Sequence, residues 1–250
     1  QITITAHSTP KKILTNFDLE NIVDTSDEWI TSRTGIKQRY IVEDGEASSD
    51  ISTRIAKKLL QKSEIKAEEI DLIIVGTVTP DHYTPSTAAI VQKNINACNA
   101  WGFDLSAACS GYIFGLETGS NFIESGKYQN VMVIGVDTMS SILDFQDRDT
   151  CVIFGDGGGG AILQPTKEGF GIIDSILHMD GKGGDYLIVP AGGSRIPASF
   201  NSINERKHFI KQDGKTVFKH AVKGMADVSK KILSQNNLSG DDISLFIPHQ

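Results

Sequence analysis

The amino-acid sequence predicts an α/β fold in which short buried strands alternate with amphipathic helices. Its composition is that of a globular protein, with 250 residues of which 39% are hydrophobic and 22% are charged, so disorder and a coiled coil are excluded. Apolar runs such as residues 72–75 are strand-sized, and none approaches the about 18 residues of a membrane span. Segments of helical periodicity separate these runs, which is the alternation typical of an α/β protein.

Apolar periodicity and capping residues define the elements of the first part of the chain. Thr15 and Asn16 can cap a short helix, residues 25–28 form a capping box, and Gly35 closes the helix that follows. The predicted elements are strands at 2–6, 70–76, 101–105 and 131–136, and helices at 15–23, at 25–35, from 48, from 86 and at 109–125. Residues 154–163 contain four consecutive glycines, and we interpret them as a tight turn that feeds a further strand.

A second unit is expected to begin after Pro165. Apolar runs at 172–177 and 243–248 predict two strands, and the apolar spacing of residues 217–232 predicts a strong amphipathic helix between them. The predicted division is therefore an N-terminal half at 1–165 and a C-terminal half at 166–250. A buried parallel strand needs a crossover connection and a neighbour, and the sequence stops two residues after the last predicted strand. We therefore expect the C-terminal half to be incomplete and the sequence to be a piece of a longer one.

The charge balance and the cysteines limit the classes of function. Lys and Arg number 24 against 31 Asp and Glu, and the net charge of −7 disfavours nucleic-acid binding. The three cysteines are widely spaced and form no CxxC or Cys/His cluster, so no metal site is expected, and free thiols suit a reducing cytoplasm. We therefore expect a cytoplasmic protein that binds neither nucleic acid nor a membrane, and a single nucleophilic cysteine becomes a candidate.

Cys109 lies where a predicted strand passes through small residues into a predicted helix, in the sequence DLSAACSGY of residues 104–112. The N–H groups and the dipole of a helix N-terminus lower the pKa of a thiol and can face an oxyanion. These properties suit a nucleophile. Most free cysteines, however, are small buried core residues, and this segment alone fits that interpretation equally well.

Two further places in the chain have residue types suited to ligand binding. His249 follows a predicted strand, at the edge where open α/β sheets bind ligands, which suits an acid, a base or a hydrogen-bond donor. A lone histidine is more often structural. Trp29 and Arg33 lie four residues apart on one helix face, and an aromatic ring with a guanidinium suits a nucleotide with its phosphates. Without other context, a surface helix with a partly buried tryptophan is at least as good an interpretation.

Short motifs are spread along the chain in an order that is itself informative. They are LTN at 14–16, VDTSDEWI at 23–30, RTGI at 33–36, DLSAACSG at 104–111, FGDG at 154–157 and PHQ at 248–250. Together they resemble the β-ketoacyl-acyl-carrier-protein synthase III family, and the combination is far more specific than any one motif. The resemblance implies a thiolase-like fold in which two similar βα halves pack as five layers, normally in a homodimer.

The resemblance also implies an activity, the opening condensation of type II fatty acid synthesis. An acyltransferase of this kind joins a short acyl-CoA primer to malonyl-acyl-carrier protein in a decarboxylative Claisen condensation. It holds no permanent cofactor and no metal. The implied partners are acyl-CoA, the acyl carrier protein and a second copy of the chain.

The resemblance assigns a role to each matching residue. Cys109 matches the nucleophile that accepts the acyl group, and His249 matches the histidine that stabilises the enolate oxygen during decarboxylation. The implied binding residues are Trp29, Arg33 and Arg148 for the adenine end of CoA, Gly214 and Phe218 for its pantetheine, Tyr83 and Thr84 in the dimer-contact loop that limits acyl-chain length, and Gln250 at the start of the carrier-binding segment.

Departures from the family's pattern leave other interpretations open. The family's second catalytic donor, an asparagine in a histidine-glycine-asparagine run, has no counterpart in residues 1–250. One alternative is a related condensing or acyl-transfer enzyme of secondary metabolism with a different primer, and another is an inactive, truncated homologue that only binds a partner. A cysteine protease would also use a cysteine and a histidine, but nothing else in the chain supports it. We expect the enzyme that initiates fatty acid synthesis.

Overall fold

The computed structural model describes residues 1–249, which form two compact units. The first unit contains Gln1–Ser141 and Val152–Ile172, and the second contains Ile142–Cys151 and the chain from Ile173 onward. The short segment Ile142–Cys151 therefore belongs with the second unit, although the chain on both sides of it belongs to the first. The halves at 1–165 and 166–250 stay a prediction.

Residues 1–249 form nine strands and eight α-helices, with shorter 3-10 turns between them. In chain order these are β1 (Ile2–Ser8), β2 (Lys12–Thr15), α1 (Asn16–Glu20), α2 (Asp27–Thr34), β3 (Gln38–Ile41), α3 (Ser48–Ser63), β4 (Leu72–Gly76), α4 (Thr87–Asn94), β5 (Trp101–Leu105), α5 (Gly111–Glu124), β6 (Val131–Thr138), α6 (Arg148–Cys151), β7 (Asp156–Leu163), β8 (Leu187–Ile188), α7 (Phe200–Asn204), β9 (Lys211–Gln212) and α8 (Gly214–Gln235).

The first unit is built on a five-stranded sheet in the order β1-β7-β6-β4-β5. The central strand pairs β4–β5 and β4–β6 are parallel, whereas β7 is antiparallel to both β6 and β1. Helices α3 and α4 pack on one face of the sheet, and α5 packs on the other. The predicted strands at 70–76, 101–105 and 131–136 and the predicted helices from 48, from 86 and near 109–125 are all present.

Strand β4 contributes side chains to the cores on both faces of this sheet. Leu72 and Ile74 lie in the apolar cluster on the α5 side, while Ile73 and Val75 lie in the cluster that contains side chains of α3 and α4. All four side chains are 0% exposed. The uninterrupted apolar run is thus explained, because successive side chains of a strand point to opposite faces and both faces are covered by helices.

The strand predicted within residues 154–163 is present as β7, but the four glycines that were interpreted as a turn lie inside it. Strand β7 is hydrogen-bonded to β6 on one side and to β1 on the other. A Cβ atom built on Gly160 would lie 2.9 Å from Cγ2 of Ile55 and 2.9 Å from the carbonyl oxygen of Val133. Glycine is therefore needed here to make room for helix α3 over the sheet, and not to turn the chain.

The first helices follow their predicted caps with two corrections. Thr15 caps α1 through a capping box, but the helix ends at Glu20 and not at Val23. The N–H groups of Asn21 and Ile22 reach back only three residues, to the carbonyl oxygens of Asp18 and Leu19, as in a turn. Helix α2 is capped by Ser26, one residue after the predicted cap at Thr25.

Two predicted strands are not strands in the described part of the chain. The segments 172–177 and 243–248 form no ladder hydrogen bonds with another strand there. A strand exists only through such bonds, so an apolar run without a neighbour stays irregular. Its side chains are correspondingly exposed, to 66% at Ile173 and 81% at Ile247.

The second unit contains the long helix α8, the short helices α6 and α7, and the two-stranded ladder of β8 and β9. Helix α8 matches the predicted amphipathic helix, and the Asp213 side chain caps it by accepting a hydrogen bond from the N–H of Thr216 at 3.1 Å. No helix within residues 1–249 is both long enough and apolar enough to cross a membrane.

Candidate functional site

Cys109 lies in a 3-10 turn, Ala108–Ser110, between the end of β5 and the start of α5. The helix that was predicted to begin at Cys109 therefore begins at Gly111. Ala108 has a φ of +46°, in the left-handed region that costs a residue with a Cβ about 1 kcal/mol or more. This strained turn presents Cys109 at the surface, where the residue is exposed. The alternative of a small buried core cysteine is wrong.

A close contact between β4 and α5 fixes the position of this turn. A Cβ atom built on Gly76 would lie only 2.8 Å from the carbonyl carbon of Gly111, so the two backbones approach as closely as glycine allows. Beyond the paired strands, the N–H of Thr77 donates to the carbonyl oxygen of Leu105 at 3.1 Å. The end of β5 and the start of α5 are thereby held at the carboxyl edge of the sheet, where α/β proteins bind their ligands.

Asp137, near the end of β6, is an acidic neighbour of this turn that the sequence analysis missed. Its Oδ1 atom accepts hydrogen bonds from the hydroxyl groups of Thr77 at 3.1 Å and Thr79 at 3.0 Å, and from the N–H of Val78 at 2.8 Å. Burial raises the pKa of the Asp137 carboxyl, and these hydrogen bonds oppose that rise. The sequence does contain a feature that could have pointed to Asp137, namely a carboxylate directly after the apolar run of a predicted strand.

The pKa of the Cys109 thiol is raised, whereas the sequence analysis expected a lowered pKa. Desolvation of the sulfur is the largest influence and raises the pKa of the thiol, and the negative charge of Asp137 raises it further. The backbone N–H of Cys109 itself lowers the pKa and offsets part of that rise. The expected lowering by backbone N–H groups is thus present at Cys109 itself, but the net direction is a raised pKa, because desolvation of the sulfur and the Asp137 carboxylate act the other way.

Trp29 and Arg33, which were predicted to share a helix face, are in contact. The guanidinium carbon of Arg33 lies 4.5 Å from the centroid of the Trp29 ring, within the range of a cation–π interaction. Trp29 is half-buried and Arg33 is exposed. The pair therefore forms a flat aromatic and cationic surface on α2 that solvent reaches.

The remaining candidate residues are distributed over both units. In the first unit, Tyr83 and Thr84 lie exposed in the loop before α4. The second unit contains the others, with Arg148 at the first position of α6, Gly214 and Phe218 in the first turns of α8, and an exposed His249. Gln250, the predicted carrier-binding position, lies outside the described residues. Within residues 1–249, no group of three or more His, Cys, Asp or Glu side chains could hold a metal ion.

Comparison with known proteins relates this arrangement to a family. Residues 103–181, which include Cys109 and Arg148, match the family model of 3-oxoacyl-[acyl-carrier-protein (ACP)] synthase III. A beta-ketoacyl-[acyl-carrier-protein] synthase III of Chlorobaculum tepidum is 55% identical over 252 residues, which cover 100% of this chain and 77% of that protein.

Solved structures agree with the sequence comparison. The crystal structure of 3-oxoacyl-[acyl-carrier-protein] synthase III from Aquifex aeolicus is 39% identical with a TM-score of 0.86, over 96% of this chain and 73% of that one. The synthase III of Thermus thermophilus is 36% identical with a TM-score of 0.90, over 99% and 76% of the two chains. The fold and these relatives thus define a condensing enzyme of thiolase-like α/β fold. Within that class, the chain belongs to the β-ketoacyl-acyl-carrier-protein synthase III family.

Proposed function

We propose that this chain catalyses the decarboxylative condensation of a short acyl-CoA primer with malonyl-acyl-carrier protein, and so initiates type II fatty acid synthesis in the cytoplasm. The observation that carries the proposal is the exposed Cys109 at the strand-to-helix turn of a chain that belongs to this family. The chemistry uses thioesters as activated acyl groups and needs no permanently bound cofactor.

The first half-reaction is acyl transfer to Cys109. The sulfur attacks the thioester carbonyl of acyl-CoA, the carbon–sulfur bond to CoA breaks, and CoA leaves with the proton that the Cys109 thiol gives up. The tetrahedral intermediate carries a negative oxygen, and the N–H groups at the start of α5 are suited to stabilise it. Because Cys109 is exposed at the edge of the sheet, an acyl chain can reach it without unfolding of the core.

The second half-reaction forms the new carbon–carbon bond. Loss of carbon dioxide from the malonyl group leaves an enolate, whose carbon attacks the acyl-Cys109 carbonyl and displaces the cysteine sulfur. We assign His249 to the stabilisation of the enolate oxygen, since an imidazole N–H is a suitable hydrogen-bond donor for a developing negative charge. CoA and the carrier's phosphopantetheine follow each other on the same cysteine, which predicts ping-pong kinetics.

Binding of the CoA nucleotide is assigned to three residues. The contact between Arg33 and the Trp29 ring supports this role, because the pair offers a ring face for adenine and a cation for phosphate. Arg148 is proposed to supply a second guanidinium at the same end of the ligand. Gly214 and Phe218 are proposed to line the pantetheine path, and the 70% exposure of Phe218 supports a role in contacting a ligand.

The proposed macromolecular partners are the acyl carrier protein, which Gln250 would help to receive, and a second copy of the chain. The dimer is supported by β5, which forms one edge of the sheet and pairs only with β4 among the described strands. Trp101 on this edge strand is 45% exposed, and Tyr83 in the nearby loop is 85% exposed. Open edges with apolar side chains are normally covered by a partner.

Intact-mass spectrometry with a panel of acyl-CoA thioesters tests this function. We expect one acyl adduct on the protein, mapping to Cys109, and an adduct yield that depends on the acyl group. Cys109→Ala should abolish the adduct. Cys98→Ala is the matched control, because Cys98 is also an exposed thiol but lies outside the strand-to-helix turn.

Each result has a definite meaning. Loss of the adduct in Cys109→Ala with retention in Cys98→Ala supports Cys109 as the nucleophile. An adduct that survives in Cys109→Ala, or no adduct from any acyl-CoA on the folded protein, overturns the proposed function.

A further inference from the structure

Asp144 is a buried carboxylate whose two oxygens are both engaged by Arg206. The Nε atom of Arg206 donates to Oδ2 at 2.7 Å, and its Nη2 atom donates to Oδ1. The Asp144 side chain is only 5% exposed. This bidentate geometry fixes orientation as well as distance, and the hydrogen bonds from Arg206 hold the pKa of the Asp144 carboxyl below its ordinary value.

Asp144 in turn shapes the short segment that presents Arg148. Its Oδ1 atom accepts from the N–H of Gln146 at 2.8 Å, and its carbonyl oxygen accepts from the N–H of Asp147 at 2.9 Å. The carbonyl oxygen of Asp147 then accepts from the N–H of Cys151 at 3.0 Å, which closes the single turn of α6. A continuous chain of hydrogen bonds therefore connects Arg206 to the helix whose first residue is Arg148.

Arg206 is itself held in place independently of Asp144. Its backbone has a φ of +56°, in the left-handed region, and its N–H donates to the carbonyl oxygen of Ile203 at 2.9 Å. Its guanidinium carbon lies 5.0 Å from the ring centroid of Phe209. Lys211, farther along the same strand-forming segment, adds a second cation 3.7 Å from Asp147. The segment that carries Arg148 is thus anchored at two points by basic side chains.

We propose that Arg206 is a positioning residue for substrate binding: through the bidentate pair with Asp144 it holds the Ile142–Cys151 segment so that Arg148 meets the nucleotide end of acyl-CoA. This proposal rests on the proposed function and adds to it a residue that positions Arg148. Arg206 touches neither the thioester nor Cys109 in this role, so it acts on the affinity for CoA and not on the bond-making step.

The test compares two thioesters that carry the same acyl group, the acyl-CoA selected by the panel and the corresponding acyl-pantetheine, which lacks the nucleotide. Single-turnover acylation of the protein is followed by intact mass at increasing thioester concentration. For Arg206→Gln we expect the half-saturating concentration of acyl-CoA to rise about tenfold, with the maximal acylation rate within about twofold of the original. The half-saturating concentration of acyl-pantetheine should not change.

Matched variants separate positioning from stability. Asp144→Asn combined with Arg206→Gln leaves no buried unpaired charge, so it tests the same loss of positioning even if Arg206→Gln alone unfolds. Arg206→Lys keeps the charge but loses the bidentate geometry, and it should fall between the original and the double variant. Lys207→Gln is the control, because Lys207 pairs 2.5 Å from Glu205 in an exposed contact next to Arg206 in the chain.

The outcomes distinguish the two levels of the argument. A double variant with unchanged half-saturation by acyl-CoA, or with equal losses for acyl-CoA and acyl-pantetheine, overturns the positioning role while leaving the proposed function intact. Failure of the original protein to be acylated by either thioester overturns the proposed function and the positioning role together. A rise confined to acyl-CoA, absent in Lys207→Gln, supports the role of Arg206.

Discussion

At the scale of single residues, two influences act against ionisation of the Cys109 thiol, namely the loss of hydration around its sulfur and the carboxylate of Asp137. Both raise the pKa, and the first is the larger. A thiolate attacks a thioester, whereas a thiol does so slowly. If Cys109 is the nucleophile, as proposed, we expect its acylation to speed up as the pH rises toward the raised pKa.

Asp137→Asn is expected to make Cys109 reactive at lower pH. The raised pKa means that the thiolate fraction is small at neutral pH and grows as the pH rises through the pKa; removal of the Asp137 charge lowers that pKa and shifts the profile toward acid. The shift should be partial, since desolvation remains. The measurement is the rate of iodoacetamide alkylation against pH in a Cys98→Ala background.

The asparagine variant is a conservative test because the three hydrogen bonds of Asp137 all end on Oδ1. An asparagine amide oxygen can accept the same three bonds, so the loop 77–79 should keep its conformation. A profile that stays in place, or that moves toward higher pH, would contradict the electrostatic role of Asp137.

At the scale of secondary-structure elements, the contact of β4 with α5 decides where the cysteine turn lies. Gly76→Ala places a Cβ atom 2.8 Å from the carbonyl carbon of Gly111 and 2.9 Å from its oxygen. Backbone atoms cannot rotate away, so α5 must shift. We expect a loss of about 1–3 kcal/mol in the free energy of unfolding and a fall of about tenfold in the acylation rate of Cys109. Thermal unfolding and intact-mass kinetics measure the two effects.

Gly224→Ala provides the control for this change. Gly224 lies within α8, and a Cβ atom built there meets no atom within 4 Å. Alanine should be tolerated at that position or should stabilise the helix slightly. Equal behaviour of the two variants would show that the contact between β4 and α5 has no special steric demand.

The elements that the sequence predicted best are those whose periodicity arises from burial. Strand β4 and helix α3 were both found, because their apolar side chains meet a core that is continuous along the element. The glycines of β7 were misassigned to a turn, since glycine favours turns locally and only the neighbouring strands and Ile55 explain their place in a sheet. The runs 172–177 and 243–248 have strand composition, but composition does not supply a partner.

In the candidate site, too, features that depend on nearby residues were predicted, and features that depend on distant residues were not. The place of Cys109 between a strand and a helix and the shared helix face of Trp29 and Arg33 were predicted from sequence, because they depend on residues close by in the chain. The rise in the pKa of Cys109 was not predicted from sequence. It depends on desolvation of the sulfur and on Asp137, which is 28 residues away in sequence. Likewise, no local sequence pattern connects Arg206 to Asp144. The fold of the second unit brings these two residues together.

At the scale of the whole molecule, the proposed dimer and the proposed role of Tyr83 lead to a prediction about primer choice. The residue is 85% exposed within one chain, so its replacement should leave the fold of that chain intact. If the loop at 80–86 limits the acyl pocket in a dimer, Tyr83→Ala lengthens the pocket. We expect the preference in the acyl-CoA panel to move to longer chains by about one or two methylene groups, a change worth roughly tenfold in relative rate for each.

Phe200→Ala is the matched control for this prediction, since Phe200 is an aromatic residue with 88% exposure in the second unit. It should leave the order of preferred acyl-CoA thioesters unchanged. An unchanged order in Tyr83→Ala, measured on protein whose mass by light scattering corresponds to a dimer, would remove Tyr83 from the acyl pocket.

Strand β7 also has a consequence for amide hydrogen exchange in the first unit. Its glycines contribute almost no side-chain packing of their own, yet the strand is paired along both sides, with β6 and with β1. Its amide hydrogens are released to solvent only when neighbouring strands separate, so their protection reflects the cooperativity of the whole sheet. A segment whose composition suggests a flexible linker should therefore be among the last in the unit to exchange with deuterium.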